Sequence, residues 1–412
     1  MPETIRTIRE DEIATWFETF SYAFHFWQND PQQMAELRGR YIDLERAFGA
    51  FDGDVMVGTY RSFASRLTLP GLARVPVGAV SAVSVRPTHR RRGILTRMIN
   101  RDLRESAARG EVASILIAAE WPIYGRYGYG PATWHARWTL RVRAASFRQP
   151  AVGSIDVINA KAARQLLPEL YARVAAAQPG EIDRNEQRWD TELGLVDVPG
   201  RPPWRGAVAI HRDAAGEADG FARYHGEEHW EDGIPDNIVV VDDLRGVTLE
   251  AELDLWRHLA QMDLTATIKA ETRREREPMQ WHLADGRAAR VTGLSDMLWL
   301  RILDVPAMLG SRTYERDGDL VIEVEDALAD GPGPAAGRYR LNVRTGSAAC
   351  ERTDAEPDIT VAVSSLSAAV LGGTRLADAT RAGGATEHRP GALRELDLLL
   401  TTADPPWCTT WF

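Results

Sequence analysis

One segment constrains this chain more than any other: Ala82-Val83-Ser84-Val85-Arg86-Pro87-Thr88-His89-Arg90-Arg91-Arg92-Gly93-Ile94-Leu95-Thr96. The apolar run from Val75 to Val85 reads as a strand. Pro87 has no N–H to give to a ladder, so the chain must turn there. From Gly93 to Arg109 the residues Ile94, Leu95, Met98, Ile99 and Leu103 share one helical face. The first N–H groups of such a helix lack intrahelical partners, and its dipole places positive charge at that end. Three consecutive arginines strengthen the field, and Gly93 lets a ligand approach the backbone. A diphosphate is the ligand that such a turn suits. A short basic run alone is ordinarily solvated surface; its place between a strand end and a helix start points to a phosphate site.

Around this segment strands and helices alternate. The pattern predicts a strand from Thr4 to Arg9, a helix from Glu12 to Phe26, and a second helix starting at Pro31. Further strands are expected from Ala47 to Phe51, Val55 to Leu69 and Val112 to Ala118, with an Asp52-Gly53 turn between the first two. The middle third partly repeats the order, with strands at Ala207 to Ile210, Gly220 to Tyr224, Asn237 to Val241 and Leu264 to Lys269, and a helix from Val247 to Leu259. It reads as a degenerate copy of the first unit. Its equivalent turn would be Val240-Val241-Asp242-Asp243-Leu244-Arg245-Gly246-Val247, with two aspartates where phosphates would lie. Like charges there repel a polyanion, so one copy would bind cofactor and the other be structural. Beyond about Val291 a helix from Val305 to Leu309, strands at Leu320 to Glu325 and Gly337 to Asn342, and the Gly331-Pro332-Gly333-Pro334 loop predict a third, α+β unit. The expected division is 1–150, 151–290 and 291–412.

A length of 412 residues already calls for two or three cores. The balance of 44% hydrophobic and 26% charged residues is that of a globular protein. A net charge of −10 argues against a general nucleic-acid or membrane-surface binder, and suits attraction of small cations. No stretch approaches the roughly 20 apolar residues that span a bilayer, and the acidic start lacks an apolar leader pattern, so a cytoplasmic location is expected. Cys350 and Cys408 cannot make a disulfide framework or a four-thiolate metal site. His225-Gly226-Glu227-Glu228-His229 satisfies the string H-x-x-E-H, but that chemistry needs both histidines on a helix. Here they follow a strand pattern and precede Asp232-Gly233, so no metal is expected.

The turn matches the pattern Gln/Arg-x-x-Gly-x-Gly/Ala of GNAT acyltransferases, with Arg90, Gly93 and Leu95 at its positions; Leu95 departs from the usual small residue. The chain as a whole resembles the enhanced intracellular survival (Eis) family of actinobacterial N-acetyltransferases. The matching pieces are Val83 to Thr96, Ile123-Tyr124-Gly125-Arg126-Tyr127-Gly128-Tyr129-Gly130-Pro131-Ala132, Leu300-Arg301-Ile302-Leu303-Asp304-Val305-Pro306 and Pro406-Trp407-Cys408-Thr409-Thr410-Trp411-Phe412. The resemblance implies a mixed α+β fold of two fused GNAT-like domains and a sterol-carrier-protein-like domain, assembled as a homohexamer. It implies acetyl transfer from acetyl-CoA to primary amines, including several positions of aminoglycosides. Carried over, Val83, Ser84 and Val85 would bond the pantetheine arm, and Arg91, Arg92, Gly93, Ile94, Leu95 and Thr96 would hold the pyrophosphate. Ala119 and Glu120 would lie along its other side. Tyr124 would be the general acid and the α-carboxylate of Phe412 the general base. Where a common family variant has an acidic residue before that phenylalanine, this chain has Trp411, which bears on substrate preference.

The residues support that assignment on their own chemistry. A tyrosine ordinarily titrates near 10, so it stays protonated at neutral pH and can donate to a departing thiolate. Tyr124 follows the strand that ends at Ala118, although Tyr124, Tyr127 and Tyr129 also read as filler beside a glycine-rich turn. Phe24, Trp27 and Asp30, with Glu120 and Trp411, are candidates for receiving a cationic amine, the aromatics being equally readable as core. Two other functions compete: a lipid or acyl-CoA carrier, and a regulatory scaffold without turnover. Thiol release from acetyl-CoA in the presence of an amine separates them.

Overall fold

Strand β4 (Arg74–Val85) runs parallel to β5 (Ala113–Ile117) over only four pairs, Val77 with Ala113 through Val80 with Leu116. Past Val80 the two strands part. The computed structural model describes residues 3–26, 30–344 and 347–412. Within the first sheet, β1 (Thr4–Thr7), β2 (Ala47–Asp52) and β3 (Val55–Thr68) precede β4 in antiparallel order, and α1 (Ile13–Ala23) and α2 (Pro31–Arg38) lie between β1 and β2 in the chain. Helix α3 (Ile94–Ala108) connects β4 to β5. After β5 come α4 (Trp121–Tyr124) and the short β6 (Gly130–Pro131).

The chain then leaves this sheet. β7 (Trp134–Arg141) belongs to a second sheet with β8 (Ser154–Ile158), β9 (Ala207–Arg212), β10 (Ala218–Glu227), β13 (Asn237–Gly246), β14 (Thr265–Arg273) and β15 (Ala289–Asp296). A small hairpin of β11 (Trp230–Glu231) and β12 (Ile234–Pro235) stands apart from it. Helices α5 (Ala160–Ala177), α6 (Glu186–Glu192), α7 (Leu249–Ala260) and α8 (Met279–His282) complete this unit. The order is β15-β7-β14-β13-β10-β9-β8, with β13 and β14 the parallel pair. β16 (Leu298–Ile302) returns to the first sheet, between β5 and β6. The strands thus interleave across residue 150 and residue 291, and the three-part division of the chain stays a proposal about units.

The third unit holds a five-stranded sheet, ordered β21-β20-β17-β22-β23. Its strands are β17 (Gly318–Glu325), β20 (Gly337–Arg344), β21 (Ser347–Arg352), β22 (Ile359–Ala362) and β23 (Ala385–Glu387). β18 (Ala327–Leu328) and β19 (Gly331–Pro332) pair in a side ribbon, so the Gly-Pro loop carries two strand residues. Helices α9 (Val305–Ser311), α10 (Val363–Ala369), α11 (Leu376–Ala379) and α12 (Ala392–Leu400) pack around it.

Alternation along the first sheet assigns its two faces. Ala113 and Ile115 of β5, and Leu298, Leu300 and Ile302 of β16, join Leu320, Ile322, Leu341 and Leu366 in one core with the third unit. Leu116 and Trp299 point the other way, into a core with Ile94, Met98, Ile99 and Leu103 of α3. Strands buried on both faces read as near-continuous apolar runs, as these do. Among the described residues no helix is long and apolar enough to cross a membrane.

The middle copy differs from expectation at its turn. Asp242, Asp243 and Arg245 lie within β13, and only Val247 and Thr248 separate its end from α7. In the first copy eight residues, 86–93, fill the corresponding place. The aspartates therefore do not stand where phosphates would. Asp243 is buried against Arg184 at 2.6 Å, and Asp242 accepts from Trp204 Nε1 at 2.9 Å. The Thr248 hydroxyl accepts from the N–H of Ala251 at 3.2 Å, so this helix caps itself.

Candidate active site

The turn after β4 leads into a helix N-terminus with no side-chain cap. Gly93 caps α3 at φ 73° and offers no side-chain acceptor, so the N–H groups of Ile94, Leu95 and Thr96 face outward without a capping partner. A Cβ on Gly93 would meet nothing within 4 Å; its left-handed backbone is what requires glycine. Arg91 also has a positive φ, 64°, a conformation that costs a non-glycine residue about 1–2 kcal/mol. Its guanidinium has no hydrogen-bond or ion-pair partner among the described residues. Arg92 is tied differently: it reaches the Thr88 carbonyl at 3.1 Å and Glu3 at 3.4 Å. Arg90 leans back on the Val85 carbonyl at 3.4 Å, and His89 pairs with Asp52 at 3.2 Å. Of the arginine triplet, Arg91 is the one left free for a ligand.

Upstream of this turn, β4 bulges. Thr59 faces Ser84 and Arg61 faces Ser81, so Tyr60 opposes both Ala82 and Val83, and Ala82 adopts φ 53°. The bulge falls just past the last pair with β5. The edge of β4 from Ser81 to Val85 that faces β5 carries no ladder bonds there. Ser84 is not available through its side chain, because its hydroxyl shares a 2.7 Å bond with Thr59, which donates to the Ala82 carbonyl at 2.8 Å.

Tyr124 ends α4, only seven residues beyond β5, and is 7% exposed. Neighbouring tyrosines are engaged: Tyr127 bonds Thr96 at 3.0 Å and Tyr129 bonds Ser114 at 2.7 Å. The Tyr124 hydroxyl has no protein partner among the described residues. Its ring stands edge-on to Tyr129 at 6.0 Å. Burial, with Tyr127 and Glu120 adding, pushes its pKa up to about 12. Ala119 and Glu120 are exposed at the mouth of the split, Glu120 as the N-cap position of α4.

Phe412 and Ile117, at the end of β5, both pack against the core shared with the third unit. Phe412 packs edge-on against Phe63 of β3 at 5.6 Å. Trp411 is 58% exposed. Phe24 is half-buried in a ring cluster with Phe20 at 4.6 Å and Phe26 at 5.8 Å. The carboxylate of Asp30 caps α2, accepting from Gln32 at 2.9 Å and Gln33 at 3.1 Å through one oxygen. Trp27 lies outside the described residues.

Arg301 carries a role that its motif alone did not disclose. Fully buried, it donates to the Tyr127 carbonyl at 2.8 Å and to Asp326 at 2.7 Å, tying the tyrosine turn to the third unit. His225 sits in β10 and bonds Asp242 at 2.9 Å, so the H-x-x-E-H string does not form a helical pair. No group of three metal-ligating side chains occurs among the described residues.

A parallel pair that splits, with an uncapped helix between its two strands, is the arrangement of a GNAT acetyltransferase domain. Models of the acetyltransferase (GNAT) domain match residues 4–132 and 180–302, and a sterol carrier protein domain matches 305–409. An N-acetyltransferase of Streptomyces avermitilis is 38% identical over 99% of this chain and 98% of its own length. N-acetyltransferase Eis of Mycobacterium tuberculosis is 32% identical over 87% of this chain and 86% of its own. The crystal structure of Eis1 from Mycobacterium abscessus superposes with a TM-score of 0.86 at 33% identity, covering 99% of this chain and all of that one. The chain belongs to the Eis family of N-acetyltransferases. Domains of the GNAT type use acetyl-CoA as cosubstrate.

Proposed function

We propose that the first unit transfers an acetyl group from acetyl-CoA to a primary amine, with Tyr124 as general acid and the Phe412 carboxylate as general base. The observation that supports this is the Tyr124 hydroxyl: buried, unpartnered among the described residues, in a residue of the core against which Val83, Val85 and Ala118 pack. Acetyl-CoA supplies an acyl group activated as a thioester. The open edge of β4 at Val83 and Val85 polarises the carbonyl through backbone N–H groups, and the turn at Arg91 to Thr96 holds the pyrophosphate. The amine attacks as the free base, its ammonium proton having passed to solvent; the Phe412 carboxylate takes a second proton from the nitrogen as the amide forms, and the Tyr124 O–H gives its proton to the departing sulfur. A C–N bond forms as the C–S bond breaks, and the proton on the carboxylate returns through solvent to the phenolate.

The acceptor is an amine that is a cation in water, and Glu120, Phe24 and Trp411 are the groups we assign to its approach. Aminoglycosides acetylated at several positions belong to this substrate class, and N-acetyltransferase Eis is the named relative. We further propose a homohexamer and a cytoplasmic location. Mixing acetyl-CoA with a polyamine or aminoglycoside should release free thiol with saturation in both substrates. A lipid or acyl-CoA carrier, or a scaffold without turnover, would release none.

A further inference from the structure

In the middle copy the parallel pair also splits: β13 and β14 stay paired only from Asn237 with Thr265 to Val241 with Ala270. The split is not empty. Trp407 fills it, under Arg245 of β13 at 3.8 Å and beside Arg273 of β14 and Arg274, each at 4.8 Å from the indole. Its backbone N–H donates to the Pro179 carbonyl at 2.9 Å. Gly180 stands so close that a Cβ there would lie 2.8 Å from the Trp407 nitrogen.

Thr409 and Thr410 are held just as closely. The Thr409 N–H and hydroxyl both donate to Glu181, each at 3.1 Å, and Arg184 donates to the Thr409 hydroxyl at 2.9 Å. Thr410 meets the Tyr171 hydroxyl at 2.7 Å and Arg184 Nε at 3.0 Å. Arg245 is itself paired with Glu181 and bonded to Thr409. These partners are buried, and burial opposes charge on Glu181, yet Arg245 and Arg184 hold its carboxyl below the usual range. Every one of these anchors belongs to the middle copy, whereas two residues later Phe412 packs on Phe63 of the first sheet.

We infer that the middle copy, in the slot where the first copy takes its cofactor, instead binds the protein's own C-terminal segment, and that Tyr171, Glu181, Arg184 and Arg245 are positioning residues that aim the Phe412 carboxylate into the first unit. This rests on the reading of that carboxylate as the base. It gives the copy that lost its phosphate turn a chemical purpose: one split strand pair holds the acyl donor, and the other holds the segment that ends in the base. The placement matters because displacement of a reacting group by about 1 Å commonly costs on the order of 10²-fold in rate.

The test uses the full chain with three substitutions. Thr410→Val keeps the shape and removes the bonds to Tyr171 and Arg184; Tyr171→Phe removes the first bond from the other side; Thr410→Ser keeps the hydroxyl. The inference predicts that kcat falls about 10-fold or more in Thr410→Val and by a smaller factor in Tyr171→Phe, with acetyl-CoA affinity unchanged. Thr410→Ser should recover most of the rate. Adding Thr410→Val to a chain extended beyond Phe412 should lower kcat no further, since both act through one carboxylate. Unchanged kcat in both variants, or a loss confined to acetyl-CoA affinity, overturns the inference. If extension beyond Phe412 abolishes turnover while the tail variants do not, the base reading stands and only the positioning role fails. If extension leaves turnover intact, both fail.

Discussion

The ring of Phe412 meets Phe63 edge-on, with centroids 5.6 Å apart and planes at 89°. A residue at the end of the chain thus packs on a strand laid down near its beginning. An edge-to-face pair of this kind contributes about 0.5–1.5 kcal/mol beyond its buried area. Phe63→Ala should lower stability by roughly 1–2 kcal/mol yet reduce kcat by about 10-fold, because the terminal carboxylate loses its seat. Denaturant unfolding and steady-state kinetics on the same samples check this; a stability loss with unchanged kcat would make the contact structural only.

Tyr124→Phe keeps the ring and removes the proton. Acetyl-CoA affinity should hold while kcat falls roughly 10²-fold or more, a usual general-acid contribution. Tyr127→Phe and Tyr129→Phe break the bonds to Thr96 and Ser114, and should cost about 0.5–1.5 kcal/mol of stability with kcat within a few-fold of the parent. A larger kcat loss at either would move the acid to that ring.

Arg91→Ala should weaken acetyl-CoA binding by about 1.5–3 kcal/mol, the range for a hydrogen bond to a charged group. Arg92→Ala should also destabilise the N-terminal strand, since Arg92 reaches Glu3. Calorimetry should count one coenzyme per chain, because the middle copy lacks the turn and its split is filled by Trp407. Two coenzymes per chain would contradict that assignment.

The acid should be insensitive to pH over the working range. Burial disfavours the phenolate and raises Tyr124 from 10.0 to about 12. A raised pKa keeps the proton on oxygen as pH climbs, so Tyr124 adds no falling limb to kcat below about pH 10. A kcat profile measured to about pH 10 should therefore not fall at its alkaline end. A limb falling near pH 8 would show that Tyr124 is not the acid.

Much of the first unit was legible because its signals are local. Pro87, the arginines and Gly93 sit within one turn, and the structure places β4, the turn and α3 in the expected order. The helix starting at Pro31 was legible for the same reason, though its Asp30 serves as the cap. The middle turn was not. Asp242-Asp243 reads as a turn by composition, but in β13 these residues meet partners far along the chain, Asp243 meeting Arg184 and Asp242 meeting Trp204. The same limit hides the strand exchange, since nothing local to Leu298–Ile302 says that it returns to pair with β5. The roles of Phe63 and Arg301 come from contacts across most of the chain, which spacing alone does not encode.

The account's central claim is that the chemistry needs a free carboxylate at Phe412 together with Tyr124. Appending a few residues after Phe412 keeps every side chain of the chain and turns the α-carboxylate into a peptide bond, so the charge at that position is lost. Amine acetylation should then be lost, while acetyl-CoA binding, thermal stability and assembly match the parent. Undiminished turnover in the extended, correctly folded chain would contradict the claim.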